Sequence, residues 1–416
     1  MTPSNGSNLY PTLSHNERHR RWTWTRRFLA DGGYDAALVL GMKGRERFDG
    51  YLSNEWVDGY VLFPLAGDPV MFTWTATRII RRLQQMERGH EPWIQDIRVG
   101  TLASGVVASA KEKGLTKGRI AVVGLNSRGP AEPDGVISYN SWKHVVDSLP
   151  KVEFVDVSTQ YAGRMLVKSE EELSIVRYAA DVGERACERM IEVTRPGVAE
   201  YEIYAAIMEV IHSHGAFAVA PHLIMSIGRN DLGWGHPMWT YQGGAPRVVR
   251  EGDMVQAEIF PCYGGIETQQ QLALAVGAVD PVLHELARVA RASYDAGLAA
   301  LRPGKTFGEV CTAMTKPVLD AGCWHLTPLI HSLAPLAFTS ATGVGIEQMP
   351  GLSRFKGIGT RGAFGGDLVI EPGMTFELEP NACRADRRVN IGGTVVVTKT
   401  GVEELNRIAA EMRIIN

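Results

Sequence analysis

Part of this chain repeats itself. Thr194-Arg195-Pro196-Gly197, followed by Glu202-Ile203 and Gly215-Ala216, returns 107 residues later as Leu301-Arg302-Pro303-Gly304, Glu309-Val310 and Gly322-Cys323. A second correspondence, offset by 121, sets Gly252 and Glu258 on Gly373 and Glu379. Such a repeat builds one supersecondary unit twice, and neither copy can bury its apolar face without the other. Each copy reads as a helical hairpin followed by strands. The pair predicts a pseudo-two-fold domain whose Glu-bearing strands meet around one cavity.

The repeat begins only after residue 165. Upstream, Ala36–Gly41, Gly59–Pro64, Pro69–Thr73, Ile120–Val123 and Val152–Val155 are short Val/Leu/Ile-rich runs edged by Gly or Pro, the pattern of strands. Helix-like stretches at 15–32, 75–87, 101–114 and 137–148 lie among them, so residues 1–165 are expected to form an α/β domain. Ser169 opens the second domain, 166–416. Glu172 stands three residues on, where it closes a capping box, and Leu173, Val176, Ala180, Cys187 and Met190 give the helix an apolar stripe. The fold class is α/β (α+β), in two domains.

Hydrophobic residues are 45% of the 416-residue chain and charged residues 21%, the composition of a folded globular protein rather than a disordered or fibrous one. The net charge of -3 is small and the signs are interspersed, so no nucleic-acid or lipid face is expected and a small molecule is the expected partner. Residues 1–20 hold no apolar run of signal-peptide length, and no later run is long enough to span a membrane, which points to a cytoplasmic location. The five cysteines, Cys187, Cys262, Cys311, Cys323 and Cys383, form no CxxC pair and read as reduced structural residues.

Acidic residues sit where the repeat predicts facing strands. Glu258 lies in Val255–Pro261, and Glu377 and Glu379 lie in Thr375–Pro380. Residues two apart on a strand share a face, so Glu377 joins Glu379 and Gln256 joins Glu258. Carboxylates among Val, Phe, Ile and Leu are costly to bury unpaired; they must share a proton, meet a base or hold a cationic group. His236, in Gly233-Trp234-Gly235-His236-Pro237, stands as an accessible base ahead of the Glu258 strand. His331 reads as a hydrogen-bonded core histidine, and His212 and His214, two apart on a helix, as diverging surface residues. There is no HExxH, no Walker A, no GxSxG, and no GxGxxG between a strand and a helix.

Further segments carry a resemblance. Arg164-Met165-Leu166-Val167-Lys168-Ser169-Glu170-Glu171-Glu172, the two Arg-Pro-Gly hairpins, Gly252-Asp253-Met254-Val255, Pro372–Phe376 with Glu379-Pro380, and Thr394–Thr398 resemble the aminopeptidase P/creatinase/prolidase family over nearly the whole chain. The resemblance implies a creatinase-like N-terminal domain and a pita-bread C-terminal domain. It also implies a homodimer whose active site is completed by the partner's N-terminal domain. In the family's metallopeptidases two Asp, one His and two Glu hold two divalent ions. Those positions fall here on Glu258, Gln269, Thr342, Glu379 and Gly392. Two carboxylates do not offset the charge of two such ions, so no metal and no cofactor is expected.

The expected chemistry is therefore carried by side chains. Creatinase has a histidine at the place of His236, and ectoine hydrolase, a metal-free relative, has a carboxylate on the strand that holds Glu258. By that resemblance the chain is expected to hydrolyse a small-molecule C–N bond, in an amide, an amidine or a cyclic substrate. Glu258 attacks or activates water, His236 moves the proton, and Glu379 with Glu377 binds an NH-bearing group. Gln269, Gln271 and Thr342 orient the substrate, Arg354 meets a substrate carboxylate, and Trp234 walls the pocket. Three alternatives stay open: a lyase on the same scaffold, an Xaa-Pro peptidase, and a binding module without turnover.

Overall fold

The structure is a computed structural model that describes residues 10–41, 48–55, 59–125, 137–232, 235, 237, 239 and 242–416. It divides into two compact units, Thr12–Met165 and Leu166–Asn416, the second also taking in Tyr10 and Pro11.

The first unit is an α/β layer structure. Helix α1 (His15–Gly32) is capped by the Ser14 hydroxyl and stopped by Gly33 in the left-handed conformation, φ 64°. Then follow β1 (Ala36–Leu40), α2 (Phe48–Ser53), β2 (Gly59–Pro64), β3 (Val70–Thr73), α3 (Ala76–Glu87), β4 (Asp96–Val99) and α4 (Leu102–Glu112). The unit closes with β5 (Gly118–Val123), α5 (Tyr139–Ser148), β6 (Val152–Asp156) and α6 (Ser158–Met165). The strands form one sheet in the order β4-β3-β2-β1-β5-β6. Leu38, Leu40, Leu62 and Phe72 of the sheet pack on Val106, Val107 and Ala110 of α4 and Val145 of α5. Sequence pattern misses β4, a four-residue edge strand, Asp-Ile-Arg-Val, whose Asp96 and Arg98 pair with each other.

The second unit is built twice. Helix α7 (Glu170–Val193) starts with the expected capping box: Ser169 Oγ accepts from Glu172 N at 3.2 Å, and Glu172 Oε2 accepts from Ser169 N at 2.9 Å. Helix α8 (Glu200–Ser213) and its repeat equivalent α10 (Phe307–Asp320) each use a glutamate in the first turn in the same way. Glu202 accepts from Ala199 N and Glu309 from Thr306 N, both at 2.8 Å. Between them come β7 (Phe217–Gly228), β8 (Met254–Tyr263), β9 (Ile266–Glu267), β10 (Gln270–Val276) and α9 (Pro281–Ala300). After α10 follow β11 (Ile330–Ser332), β12 (Thr375–Leu378), β13 (Asn381–Arg384), β14 (Arg387–Asn390), β15 (Gly392–Val397), β16 (Val402–Glu404) and β17 (Met412–Ile415).

The main path of the second sheet runs β11-β12-β15-β10-β8-β7. That order is a palindrome of the repeat: β7, β8 and β10 of the first copy answer β11, β12 and β15 of the second. Leu223, Met225, Val255, Ala257, Ile259, Leu272 and Leu274 bury one face against Val182, Ala186, Met190, Ile203 and Ile207 of α7 and α8. By strand alternation the residues between them turn to the opposite face. Both acidic strands thus present their glutamates on one side. Among the described residues no helix is long and apolar enough to cross a membrane.

Candidate active site

The helix-free face of this sheet carries a continuous polar network. Register places His331 opposite Glu377, Glu377 opposite Thr394, Gln271 opposite Gly392, and Glu258 opposite Gln271. Glu258, Glu377, Glu379, His331, Arg388 and Asn390 are each no more than 3% exposed. Burial at that depth is costly for an unpaired charge, and the network shows how each charge is met.

Glu258 is held from the β13–β14 hairpin. Its Oε1 accepts from Asn390 Nδ2 at 2.9 Å and from Arg388 Nη2 at 3.2 Å. Arg388 and Asn390 are two apart on β14 and so reach the same way. The Gln256 amide fixes the hairpin by mimicking a strand: its Nε2 donates to Arg388 O at 3.2 Å, and its Oε1 accepts from Asn390 N at 2.9 Å. Arg388 also donates to Thr327 Oγ1 at 3.1 Å and Leu232 O at 2.9 Å. A guanidinium in contact favours the ionised form of Glu258.

Glu379 has different company. Its Oε2 accepts from Gln271 Nε2 at 2.9 Å and Gln269 Nε2 at 3.3 Å. Asn390 Nδ2 also donates to Gln271 Oε1 at 2.8 Å, so one chain of amides links Glu258 to Glu379. His331 Nε2 lies 3.4 Å from Glu379 Oε1. The other ring nitrogen, Nδ1, is 2.9 Å from the Ser332 carbonyl, which only accepts; Nδ1 therefore carries a hydrogen, and Nε2 is the nitrogen turned toward the carboxylate.

Glu377 is the neutral member. Thr394 Oγ1 lies 2.8 Å from Gln269 O, 2.9 Å from Gln269 N and 3.1 Å from Glu377 Oε2. One hydroxyl proton serves one acceptor well. With Gln269 O the nearer, the proton on the Glu377 contact comes from the acid itself. Burial pushes the Glu377 carboxyl well above the ordinary carboxylate range, and Glu379, Glu258 and Glu267 push the same way.

The structure thus brings together Glu258, Glu377, Glu379, Gln269 and Gln271. It does not bring Thr342 or Arg354 to them. Thr342 is half-buried and pairs by its backbone with Arg361, and Arg354 is exposed in a short 3-10 helix, Leu352–Arg354. The imidazole that meets Glu379 is His331, because β11 and not the turn at 341–345 lies beside β12. His236 and Trp234 lie outside the described residues. Sequence reasoning misses Arg388, Asn390 and Thr394; the Arg-x-Asn alternation just before Ile391-Gly392 was the available signal.

A duplicated sheet with two inward glutamate strands and an α/β unit ahead of it is the scaffold of the pita-bread hydrolases. The sequence profile of metallopeptidase family M24 matches residues 174–399, and the chain belongs to that family. It is similar to a creatinase from a Bacillus species, 22% identical over 97% of this chain and 93% of that protein. It is also similar to a probable dipeptidase from Mycobacterium tuberculosis, 28% identical over 60% of this chain and 61% of that protein. Among solved structures, an X-Pro aminopeptidase from Thermotoga maritima superposes with a TM-score of 0.73 at 16% identity, covering 95% of this chain and 99% of that one. An Xaa-Pro dipeptidase from Bacillus anthracis gives 0.70 at 20% identity, covering 96% and 100%.

A metallopeptidase family raises the question of metal fit. Among the described residues no three His, Cys, Asp or Glu side chains converge as a metal-binding group. Glu258 faces a guanidinium and an amide N–H, and Glu379 faces two amide N–H groups. Gly392 offers no side chain, and a Cβ there would collide with the Leu378 carbonyl oxygen and come within 2.9 Å of Glu379 Cα. This donor set does not fit a pair of divalent ions.

Proposed function

We propose that the chain hydrolyses a C–N bond of a small molecule by side-chain acid–base chemistry, without a metal pair. The observation that carries this is the unequal treatment of its two symmetry-related glutamates. Glu258 accepts from Arg388 and Asn390, which favour its carboxylate form, whereas Glu379 faces the His331 imidazole, with which it can exchange a proton. Unequal environments assign a nucleophile or base to the first and a proton source to the second. Glu258 attacks the electrophilic carbon or draws a proton from attacking water, and the Glu379–His331 pair returns a proton to the leaving nitrogen. Gln269 and Gln271 hold Glu379 in line, and Glu377 stays neutral behind them. His236 is the second candidate for proton transfer. The full-length similarity to a creatinase supports a C–N substrate outside peptides.

A screen of guanidino compounds, cyclic amidines and N-acyl amines with chelator-treated protein tests the reading. Turnover should survive chelation and fall by at least about a thousandfold in Glu258→Gln. Single turnover in ¹⁸O-water then separates the roles of Glu258, since a nucleophile acquires label and a base does not. His331→Ala and His236→Ala compared on the same substrate show which imidazole moves the proton. The second reading is an Xaa-Pro peptidase, favoured by the similarity to a probable dipeptidase and to the fold of an Xaa-Pro dipeptidase. Cleavage of Xaa-Pro dipeptides that appears only with added Mn2+ would establish it in place of the first.

A further inference from the structure

Arg388 stands out among the charged groups of the cleft, because it supplies a fixed positive charge where the family name calls for a metal cation. Its guanidinium is buried, and its arms end on three separate segments: Glu258 on β8, Thr327 ahead of β11, and Leu232 after β7. The Gln256 amide pins the backbone just after it, Arg388 O and Asn390 N, to β8. An arginine held at so many points is not a surface side chain that has folded inward. It cannot be neutralised by losing a proton.

We propose that Arg388 is the resident cation of the cleft: by occupying the anionic side of Glu258 it compensates that carboxylate permanently and keeps divalent ions out. This rests on the metal-free reading above. A divalent ion approaching Glu258 would meet a fixed like charge at contact range in a buried site, where repulsion is strong. To reach Oε1 it would also have to displace two N–H donors. The loss of ligands at Gln269 and Gly392 is then only half of the departure from a metal site. Restoring a carboxylate alone leaves the cation in place.

The test follows Co2+ binding, by ligand-field absorbance and equilibrium dialysis, in four full-length proteins: wild type, Gln269→Asp, Arg388→Met and the double variant. Gln269→Asp should bind Co2+ within about threefold of wild type, and the double variant about a hundredfold more tightly than Gln269→Asp. Circular dichroism and thermal unfolding check folding. If the methionine variants do not fold, Arg388→Gln, which keeps donors toward Glu258 and Thr327 without the charge, carries the same comparison. Gln269→Asp binding as tightly as the double variant would overturn the proposal, because the arginine would then be no obstacle. So would a double variant that binds no better than wild type. Tight stoichiometric Co2+ on the wild type is a separate result; it would sink the metal-free reading itself.

Discussion

Replacing Glu377 by glutamine swaps a buried carboxylic acid for an amide of nearly the same shape that still donates to Thr394. Burial holds the folded carboxyl well above its ordinary 4.5. A raised acid keeps its proton in the folded chain while the unfolded chain releases it near the ordinary value. The stability this group contributes is therefore complete below pH 4.5 and is lost as pH rises toward the folded value. For one proton the loss is about 1.4 kcal/mol per pH unit across that window. Glutamine does not titrate, so wild-type stability minus variant stability should fall by about that amount at each unit above 4.5 that the shift spans. Urea unfolding of both proteins at half-unit steps from about pH 5 measures it, and the subtraction cancels the other titrating groups. Infrared spectra of the folded protein at neutral pH should show a protonated carboxyl C=O band that the variant lacks. Parallel stability curves would refute a neutral Glu377, as would a variant that loses ground as pH rises.

Other consequences are open to direct measurement. Arg388→Met should destabilise the chain by about 3–5 kcal/mol in denaturant titration, since it strands a buried carboxylate, and adding Glu258→Gln should recover much of that; a loss under about 1 kcal/mol would show the pair to be hydrated. Gly392→Glu, which restores a family ligand in sequence, should fail to fold or lose more than about 3 kcal/mol, because β12 and β15 leave no room for a Cβ. Ser169→Ala should cost about 1 kcal/mol through the lost capping bond to Glu172, as read by urea unfolding.

The sequence carries the scaffold well for a physical reason. Helix α1, the strands β1, β2, β3 and β6, and the α7 capping box are local patterns of period and punctuation, and they stand where the pattern places them. The repeat made the pairing of the Glu258 and Glu379 strands legible, because duplicated elements must bury one another. The cross-chain partners were not legible. Arg388 reaches Glu258 across 130 residues of sequence, and only the β13–β14 hairpin and its Gln256 clamp bring it there. Thr342 and His331 show the limit from the other side. The family resemblance set Thr342 at a ligand position, while strand pairing of three residues, 330–332, brings His331 to the acidic strand.

The palindrome of the sheet has a consequence for any molecule that enters it. Each half delivers one glutamate by the same route and follows it with a hairpin, β8–β9 or β13–β14, and the second of these lends its arginine to the glutamate of the first half. A cradle with near-equivalent ends thereby acquires a direction: one end balanced by a permanent cation, the other facing an imidazole. A ligand with two unlike termini can settle in it only one way round, and its reacting bond is set before any chemistry begins.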